Sequence, residues 1–462
     1  MNAVILGNGG SGKAAAELLR REGWRVTVLD GTDAWPEGSW DLCVTSPGVP
    51  MDHPWQNAAR SHGVRIMSEL QLGAERYRAL GGRMLAVTGS KGKSSVVKLV
   101  ADALGGIPCG NYGKPLCEVV LDFVDFMGTD PEKTKGQTLG NEGTDPRAVV
   151  YGSKLPIAIV EISSFQLETT ELPPDTFEAA AILNLQEDHL DRHGTVAKYH
   201  ALKRKLLDFA SVKIVGTDPE NDGYGMVSGV SKREKTDKNC DLFADCYFDN
   251  PILRDNGLSA VALMKAVGLA DDAIRAAFMR FEALPHRMQT VGVHDGVAWV
   301  DDSKATSISA LIAGVTMAYS RLGSVPRVRL IAGGLAKGDD PAMARECLAK
   351  GVAKVYLIGQ CATAFAEEWK DIVLCEVCGT MDVAVAEAKN DSREGDCVLL
   401  SPGAASFDQF KSYGERGDRF AYLSAHCRCE VNHPVSVDSH QGHRLTYRKF
   451  EKGEIHYDRQ AY

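Results

Sequence analysis

The sequence predicts an α/β protein whose chain folds into three consecutive units, each built on a mostly parallel β-sheet. Short apolar runs alternate with helical patterns along most of the chain. Glycine-rich turns follow the first predicted strand of each of the first two units. A chain of 462 residues is also longer than one hydrophobic core normally organises. We expect units at residues 1–82, 83–283 and 284–425, and we leave residues 426–462 as an unassigned tail.

The first unit begins with an apolar run, a glycine turn and a helix rich in Ala and Leu. Two further strand-like runs follow, and the paired glycines Gly81 and Gly82 mark the linker to the next unit. The predicted elements are a strand at 3–7, the turn at 7–12, a helix from Lys13, and strands at 24–30 and 41–45.

The second and third units continue the alternation of strands and helices. In the second unit, strands are predicted at 84–88 and 157–161. Between them, residues from about 128 to 154 are rich in Gly, Thr, Pro and charge, which predicts a flexible surface insertion. Ligands of such sheets bind at the carboxyl ends of parallel strands. The strands predicted for the third unit are 297–300, 328–332, 355–358 and 397–400.

Composition narrows the possible functions. The formal net charge is −9, whereas a nucleic-acid-binding surface must be basic, so we expect no nucleic-acid partner. No apolar run approaches the roughly 20 residues that span a bilayer, and the N-terminus lacks the basic segment of a secretory signal. The twelve cysteines are scattered, which suits buried thiols in a reducing compartment. We therefore expect a cytoplasmic protein with no membrane partner.

The strongest local motif is the segment Thr88-Gly-Ser-Lys-Gly-Lys-Ser-Ser95, between a predicted strand and a predicted helix. Such a turn points several backbone N–H groups at a phosphate cluster, and the helix N-terminus adds a favourable dipole. Lys93 can then neutralise phosphate charge, and the Ser94 hydroxyl can bind Mg²⁺. The spacing is two residues shorter than the general P-loop pattern. The alternative is a Gly/Ser turn with surface lysines. The nucleotide-binding residues predicted here are Gly89, Ser90, Lys91, Gly92, Lys93, Ser94 and Ser95.

The glycine turn at 7–12 has three open interpretations. Its pattern is Gly-x-Gly-x-x-Gly after a strand, and Asp30 ends the next strand, which is typical of a dinucleotide site. The turn could instead bind another pyrophosphate, such as that of a UDP-sugar. It could also be a tight turn that binds no ligand.

Three polar positions of the second unit are candidates for metal chemistry. Glu161 ends a predicted strand and can hold Mg²⁺, or it can belong to a helix cap. His189 stands in a segment dense in carboxylates, where a metal ligand and a structural histidine are both open. From its sequence context alone, Lys203 is expected to be a surface lysine.

The third unit carries four short motifs at strand ends. Residues 284–287 and 301–306 bracket a hairpin-like segment, and their Arg and Asp could hold phosphate, ribose or base. The Gly-rich segment 333–339 and the Ser-rich segment 400–410 supply N–H and hydroxyl donors with one lysine, which suits carboxylate binding. Each could also be an ordinary turn. Cys375 and Cys378 lack a second pair at zinc spacing, so we interpret them as core or surface thiols.

In order along the chain, these motifs resemble the Mur ligase family from residue 1 to about 425. The matching strings are the short phosphate loop, Glu-Ile-Ser-Ser-Phe-Gln-Leu from Glu161, Asp-His-Leu-Asp-Arg around His189, and Asp-Asp-Ser-Lys-Ala-Thr ending at Thr306. Within the family, Leu-Pro-His-Arg and the string from Leu400 to Lys411 most resemble members that add D-glutamate.

The resemblance implies three domains. They would be a Rossmann-like N-terminal domain for a UDP-linked substrate, a central P-loop ATPase-type parallel sheet, and a Rossmann-like C-terminal domain for the amino acid. It implies ATP and Mg²⁺ as cofactors. It also implies catalytic roles for Lys93, His189 and Lys203, with Lys203 carbamylated. The implied UDP-substrate residues are Gly10, Ser11, Thr32 and Asn111; Asn256, Arg287 and Asp302 join the phosphate loop at ATP; Thr306, Lys337, Ser406 and Phe407 bind D-glutamate; Ser94, Glu161, His189 and Lys203 bind the metal.

The implied reaction adds D-glutamate to UDP-N-acetylmuramoyl-L-alanine through an acyl phosphate, in a monomeric enzyme whose domains close before chemistry. The sequence departs from the family pattern at Arg254, Asp255 and Ser259, near the adenine or ribose side of ATP, and Lys91 stands where Asn is commoner. Two alternatives therefore stay open: a ligase for another amino acid, and a nucleotide-binding regulatory relative without turnover.

Overall fold

The protein contains three β-sheets flanked by helices, as described by a computed structural model. The described residues are 1–128, 155–186, 189–216, 243, 246–248, 253–322 and 327–426. Almost all of the predicted insertion at 128–154 and of the tail at 426–462 lies outside them. The parallel-sheet α/β class predicted from the apolar runs is confirmed.

The first sheet has four parallel strands in the order β2-β1-β3-β4. Its strands carry continuous apolar runs because helices cover the sheet, as in other parallel sheets. The strands are β1 (Asn2–Leu6), β2 (Arg25–Leu29), β3 (Leu42–Thr45) and β4 (Arg65–Ser68), and the helices are α1 (Gly10–Arg21), α2 (Pro54–Ser61) and α3 (Glu69–Ala79).

The central sheet has five parallel strands in the order β6-β7-β5-β8-β9. Strand β5 is the central strand, so the loop that follows it lies in the middle of the row of carboxyl strand ends. The strands are β5 (Met84–Thr88), β6 (Ile107–Gly110), β7 (Ala158–Glu161), β8 (Phe177–Ile182) and β9 (Ala210–Val215). The helices are α4 (Lys93–Leu104), α5 (Leu116–Gly128), α6 (Ser164–Leu167), α7 (Leu190–His193), α8 (Val196–Lys205), α9 (Arg254–Ala266) and α10 (Asp271–Arg280).

The third sheet has six strands in the order β10-β11-β15-β12-β13-β14. The predicted hairpin is confirmed, since β10 and β11 pair antiparallel while the other pairs are parallel. The strands are β10 (Gln289–His294), β11 (Val297–Asp301), β12 (Val328–Gly333), β13 (Val352–Ile358), β14 (Leu374–Gly379) and β15 (Cys397–Leu400). The helices are α11 (Ile308–Leu322), α12 (Arg345–Gly351), α13 (Ala362–Trp369), α14 (Met381–Asp391) and α15 (Tyr413–His426).

Helices α3 and α5 join the first sheet to the central one. Leu70 and Tyr77 of α3 belong to the same buried apolar cluster as Leu116 of α5. The buried Glu69 side chain accepts a hydrogen bond from the backbone N–H of Cys117, at 2.7 Å, in the first turn of α5. Burial raises the pKa of the Glu69 carboxyl to about 7. The contact therefore combines apolar packing with one titratable group.

Candidate active site

The loop between β5 and α4 has the geometry of a phosphate-binding turn. Gly92 adopts φ +82°, and a Cβ there would collide with the Asn256 side-chain amide, so this position requires glycine. Helix α4 starts at Lys93 without a side-chain cap at Gly92. Its N-terminus therefore offers backbone N–H groups and a positive dipole end to an anion.

Lys93 lies over this loop. Its ammonium donates to the carbonyl oxygens of Gly89 at 2.7 Å and Ser90 at 3.0 Å. The Ser90 hydroxyl is within hydrogen-bond distance of the Tyr199 hydroxyl (3.1 Å), so a side chain from α8 also reaches the loop. Ser94 is half-buried and Ser95 is buried in the first turn of α4. The residues predicted to bind nucleotide thus form one compact turn.

Asn184 holds the loop in place, a role that the sequence did not reveal. Its Oδ1 accepts from the Lys91 N–H at 2.8 Å, and its Nδ2 donates to the Lys91 carbonyl at 2.9 Å. The same Nδ2 donates to Asn256 Oδ1 at 3.1 Å. Asn184 follows β8, which pairs with β5, and this pairing brings it to the loop. Its position just after an apolar strand was the available sequence signal.

The interpretation of Lys203 as a surface lysine is wrong. Its side chain is only 2% exposed, and its ammonium donates to the Gly89 carbonyl at 2.9 Å. It also lies 4.7 Å from the centre of the Tyr199 ring. Helix α8 turns Tyr199, His200 and Lys203 toward the protein interior, so its buried face carries polar side chains. Lys203 and Lys93 therefore both bind the Gly89 carbonyl of this loop.

Glu161 ends β7, beside β5, and is 2% exposed. Its Oε1 accepts from Asn111 Nδ2 at 2.7 Å. Its Oε2 is buried and has no hydrogen-bond partner. A buried carboxylate oxygen without a donor is costly unless a cation or another donor satisfies it. Glu161 therefore fits a cation ligand better than a helix cap.

His189 is the N-cap residue of the short helix α7 and has φ 53°, a left-handed conformation that is uncommon for a non-glycine residue. Its ring centre lies 5.0 Å from that of Phe165. His193, one turn later, is buried against the Ser164 hydroxyl at 3.0 Å, and burial lowers its pKa. Across the described part of the chain, no three His, Cys, Asp or Glu side chains cluster as a ready-made metal site.

The glycine turn of the first sheet leads into α1. Gly10 is the first residue of α1 and is exposed, Ser11 is half-buried, and Thr32 is exposed in the turn after β2. A Cβ on Gly10 would lie 4.0 Å from the Pro115 ring, on the stretch between β6 and α5 that also contains Asn111. The turn therefore faces the central sheet.

Two acidic side chains stand at the end of β11 in the third sheet, where Asp301 is the last residue of the strand and Asp302 follows it. Asp302 is buried, accepts from the Ser401 hydroxyl at 2.9 Å, and has a pKa raised to about 7 by burial. Asp301 binds His286 Nδ1 at 2.7 Å. Arg287 is half-buried. Its positive charge opposes the rise that burial causes in the pKa of Tyr112, the neighbour of Asn111. Arg287 is thus near enough to Tyr112 to influence its charge.

The residues predicted to bind the amino acid come together in part. Lys337 Nζ donates to the Thr306 hydroxyl at 3.2 Å. Leu335 and Ala405 exchange two backbone hydrogen bonds at 2.9 Å, which places Lys337 on the loop beside Ser406 and Phe407. Ser406 is buried, whereas the Phe407 side chain is 70% exposed. The arrangement offers one cation and hydroxyl groups at the carboxyl ends of β12 and β15 in the third sheet.

No helix in the described ranges is both long enough and apolar enough to cross a membrane.

Cys375 and Cys378 are half-buried free thiols, and burial raises both pKa values, Cys375 to about 11 and Cys378 to about 12.

Comparison with known proteins places these features in a family context. The Mur ligase middle domain matches residues 87–229, and the glutamate ligase domain of Mur ligases matches residues 286–403. The chain is 32% identical to a UDP-N-acetylmuramoylalanine–D-glutamate ligase of Anaeromyxobacter dehalogenans, covering 91% of this chain and 96% of the relative. A ligase with the same name from Nitratidesulfovibrio vulgaris is 31% identical, over 90% and 94% of the two chains.

Solved structures share the fold at lower identity. UDP-N-acetylmuramate-alanine ligase MurC of Thermotoga maritima has a TM-score of 0.52 at 16% identity, with 93% of this chain and all of that chain covered. The MurF ligase of the same organism, in complex with ADP, has a TM-score of 0.51 at 14% identity, with 84% and 88% covered. At this identity the likeness concerns the fold alone.

Proposed function

Because this chain belongs to the Mur ligase family, we propose that it is the ATP-dependent ligase that adds D-glutamate to UDP-N-acetylmuramoyl-L-alanine in peptidoglycan precursor synthesis. The names of the similar relatives support the choice of substrates. One structural observation carries the chemistry. The phosphate loop, the buried Lys203 and the unsatisfied oxygen of Glu161 all lie at the carboxyl ends of adjacent central strands.

The three sheets serve as three domains in this proposal. Residues 1–82 form a Rossmann-like domain for the UDP-linked substrate, with Gly10, Ser11 and Thr32 near the diphosphate. Residues 83–283 form the P-loop ATPase-type domain. Residues 284–425 form a Rossmann-like domain for the amino acid. A Cβ on Gly10 would lie 4.0 Å from the Pro115 ring, in the segment that also contains Asn111, which supports a substrate site between the first sheet and the central sheet.

The first chemical step is phosphoryl transfer. The terminal carboxylate of the substrate attacks the γ-phosphorus of ATP, an acyl phosphate forms, and ADP leaves. Backbone N–H groups of the loop and the Lys93 ammonium neutralise charge on the transferred group. To do so, Lys93 exchanges its bonds to the Gly89 and Ser90 carbonyls for phosphate oxygens. The loop thus prepares a cation at the site before nucleotide binds.

The second step joins the amino acid. The D-glutamate amine attacks the acyl carbon, a tetrahedral intermediate forms, and inorganic phosphate leaves with the former carboxylate oxygen. Lys337 binds a carboxylate of D-glutamate through charge, and Thr306 and Ser406 contribute hydroxyls beside Phe407. Arg287 and Asp302 contact ATP from the third sheet, and Asn256 does so from α9. Holding both reactants in this geometry supplies much of the rate enhancement.

Magnesium ions fit the residues that line this site. The buried Oε2 of Glu161 needs a positive partner, and hard oxygen donors of this kind suit Mg²⁺. Ser94, Glu161 and His189 would hold the ions, together with Lys203 once it is carbamylated. The ions would neutralise negative charge on the phosphates of ATP. Carbamylation requires a neutral lysine amine that reacts with CO₂.

We further propose that the enzyme is a cytoplasmic monomer whose partners are its small-molecule substrates, with no nucleic acid and no membrane. The net charge of −9 supports the exclusion of nucleic acid. Its substrates are anionic, so they require only local positive groups such as Lys93 and Lys337.

Phosphate release tests the choice of amino acid. The protein is incubated with ATP, Mg²⁺ and UDP-N-acetylmuramoyl-L-alanine, and D-glutamate is compared with L-glutamate, L-alanine and diaminopimelate. Release that depends on D-glutamate is expected. Release with a different amino acid would contradict the assignment of D-glutamate as the substrate. ATP binding without release would favour the regulatory alternative and direct attention to Asp255 and Ser259.

A further inference from the structure

Arg192 connects the central sheet with the first sheet, whose motifs lie far apart in the sequence. It lies in α7, three residues after His189, and its side chain is 15% exposed. Its guanidinium binds both carboxylate oxygens of Glu168, at 3.1 and 2.6 Å. The same group donates to the carbonyl oxygens of Val49 at 3.2 Å and Pro47 at 3.5 Å. One arginine thus spans the central sheet and a loop of the first sheet.

The loop that receives Arg192 supports the glycine turn of the first sheet. The Ser46 hydroxyl donates to the Gly7 carbonyl at 3.3 Å. A Cβ on Gly7 would contact Ser46 at 3.2 Å and the Val49 side chain at 3.4 Å, so the loop packs directly against the start of the turn. Arg192 is therefore one layer away from the backbone proposed to hold the uridine diphosphate.

On the other side, Arg192 supports the turn that carries His189. The backbone N–H of Arg192 donates to the His189 carbonyl at 3.1 Å. Glu168, which binds Arg192, also lies 3.4 Å from His193 Nδ1, and its side chain is 10% exposed. The guanidinium also lies 5.1 Å from the centre of the Phe165 ring, which packs against His189. These contacts fix α7 and therefore His189, which caps its N-terminus.

We propose that Arg192 is a positioning residue that fixes the metal-binding turn at His189 relative to the UDP-substrate turn. This arrangement brings the substrate carboxylate close to the metal. The inference rests on the proposed function. The Nε and Nη2 atoms bind Glu168, and Nη2 also donates to the two loop carbonyls, a combination that lysine cannot reproduce. The sequence string identified His189 and gave Arg192 no role.

The test measures how activity of the full-length enzyme depends on Mg²⁺ in Arg192→Ala and Arg192→Lys. Residues that orient a metal ligand typically change metal affinity or activity by about 10- to 100-fold when replaced. We expect the Mg²⁺ concentration for half-maximal D-glutamate-dependent phosphate release to rise by about that factor in Arg192→Ala. We also expect a higher KM for the UDP-substrate and an unchanged KM for ATP. Arg192→Lys should recover only part of the loss.

Arg78→Ala is the matched control. Arg78 also joins the two sheets through a bidentate ion pair, from α3 to Asp175 at 3.3 and 2.9 Å, but it does not touch the His189 turn. Equal effects of Arg78→Ala and Arg192→Ala, an unchanged Mg²⁺ requirement in Arg192→Ala, or full activity of Arg192→Lys would each overturn the inference. A wild type that neither binds nor turns over the UDP-substrate would instead overturn the proposed function, and the inference with it.

Discussion

Replacement of Asn184 tests whether the phosphate loop depends on a side chain outside the motif. The Asn184 side chain makes three hydrogen bonds, two to the backbone of Lys91 and one to Asn256. Asn184→Ala removes all three of these bonds. Each such bond contributes about 0.5–1.5 kcal/mol, so the total is about 3 kcal/mol. If ATP binding must reorder the loop, kcat/KM for ATP falls by up to about 100-fold.

Steady-state kinetics with varied ATP, and calorimetric titration with ADP, measure this effect. Asn184→Asp has the same shape but turns the two amide donors into acceptors facing oxygen atoms, so it should be at least as damaging. Asn57→Ala is a control, because it also removes an asparagine that donates to a backbone carbonyl, at an exposed position of α2. Wild-type ATP kinetics in Asn184→Ala, or a fully active Asn184→Asp, would refute the role assigned to this residue.

Three further substitutions test other parts of the account. Glu69→Gln should remove a pH dependence of the free energy of unfolding. Because folding raises the pKa of the Glu69 carboxyl from 4.5 to about 7, the stabilising contribution of this group is present below pH 4.5 and is lost as pH rises through 7. In urea unfolding, the variant should gain up to about 3 kcal/mol over wild type between pH 4.5 and 8; parallel pH profiles would contradict this. Gly92→Ala should raise KM for ATP at least roughly tenfold. An alanine at positive φ costs about 1–2 kcal/mol, and its methyl group displaces Asn256. An unchanged KM would contradict the requirement for glycine in this turn. Lys203→Ala should abolish phosphate release and its response to bicarbonate, whereas wild type depleted of CO₂ should regain activity when bicarbonate is added; an active variant would exclude the carbamate role.

Much of the fold could be predicted from the sequence, because buried parallel strands appear as short continuous apolar runs. The runs at 84–88 and 397–400 coincide with β5 and β15. The phosphate loop was also predictable, since glycine spacing between a strand and a helix dictates a tight turn. Gly92 at positive φ is the physical reason for that spacing.

The burial of Lys203 could not be predicted from local pattern. Periodicity identifies buried faces by apolar side chains, and the buried face of α8 carries Tyr199, His200 and Lys203. The roles of Asn184 and Arg192 were hidden for a different reason. Their partners Lys91 and Val49 lie far away along the chain, so the contacts depend on strand order and on how two sheets pack. No local motif encodes such distances.

The most direct test of the central claim follows oxygen from the substrate carboxylate. UDP-N-acetylmuramoyl-L-alanine labelled with oxygen-18 in its terminal carboxylate is incubated with ATP, Mg²⁺ and D-glutamate, and the phosphate and the nucleotide product are analysed by mass spectrometry. An acyl phosphate predicts that one labelled oxygen appears in phosphate and that the product gains one glutamyl residue, with D-glutamate and not with L-glutamate. Unlabelled phosphate accompanied by product would contradict the acyl-phosphate route, and a product formed only with another amino acid would contradict the assignment.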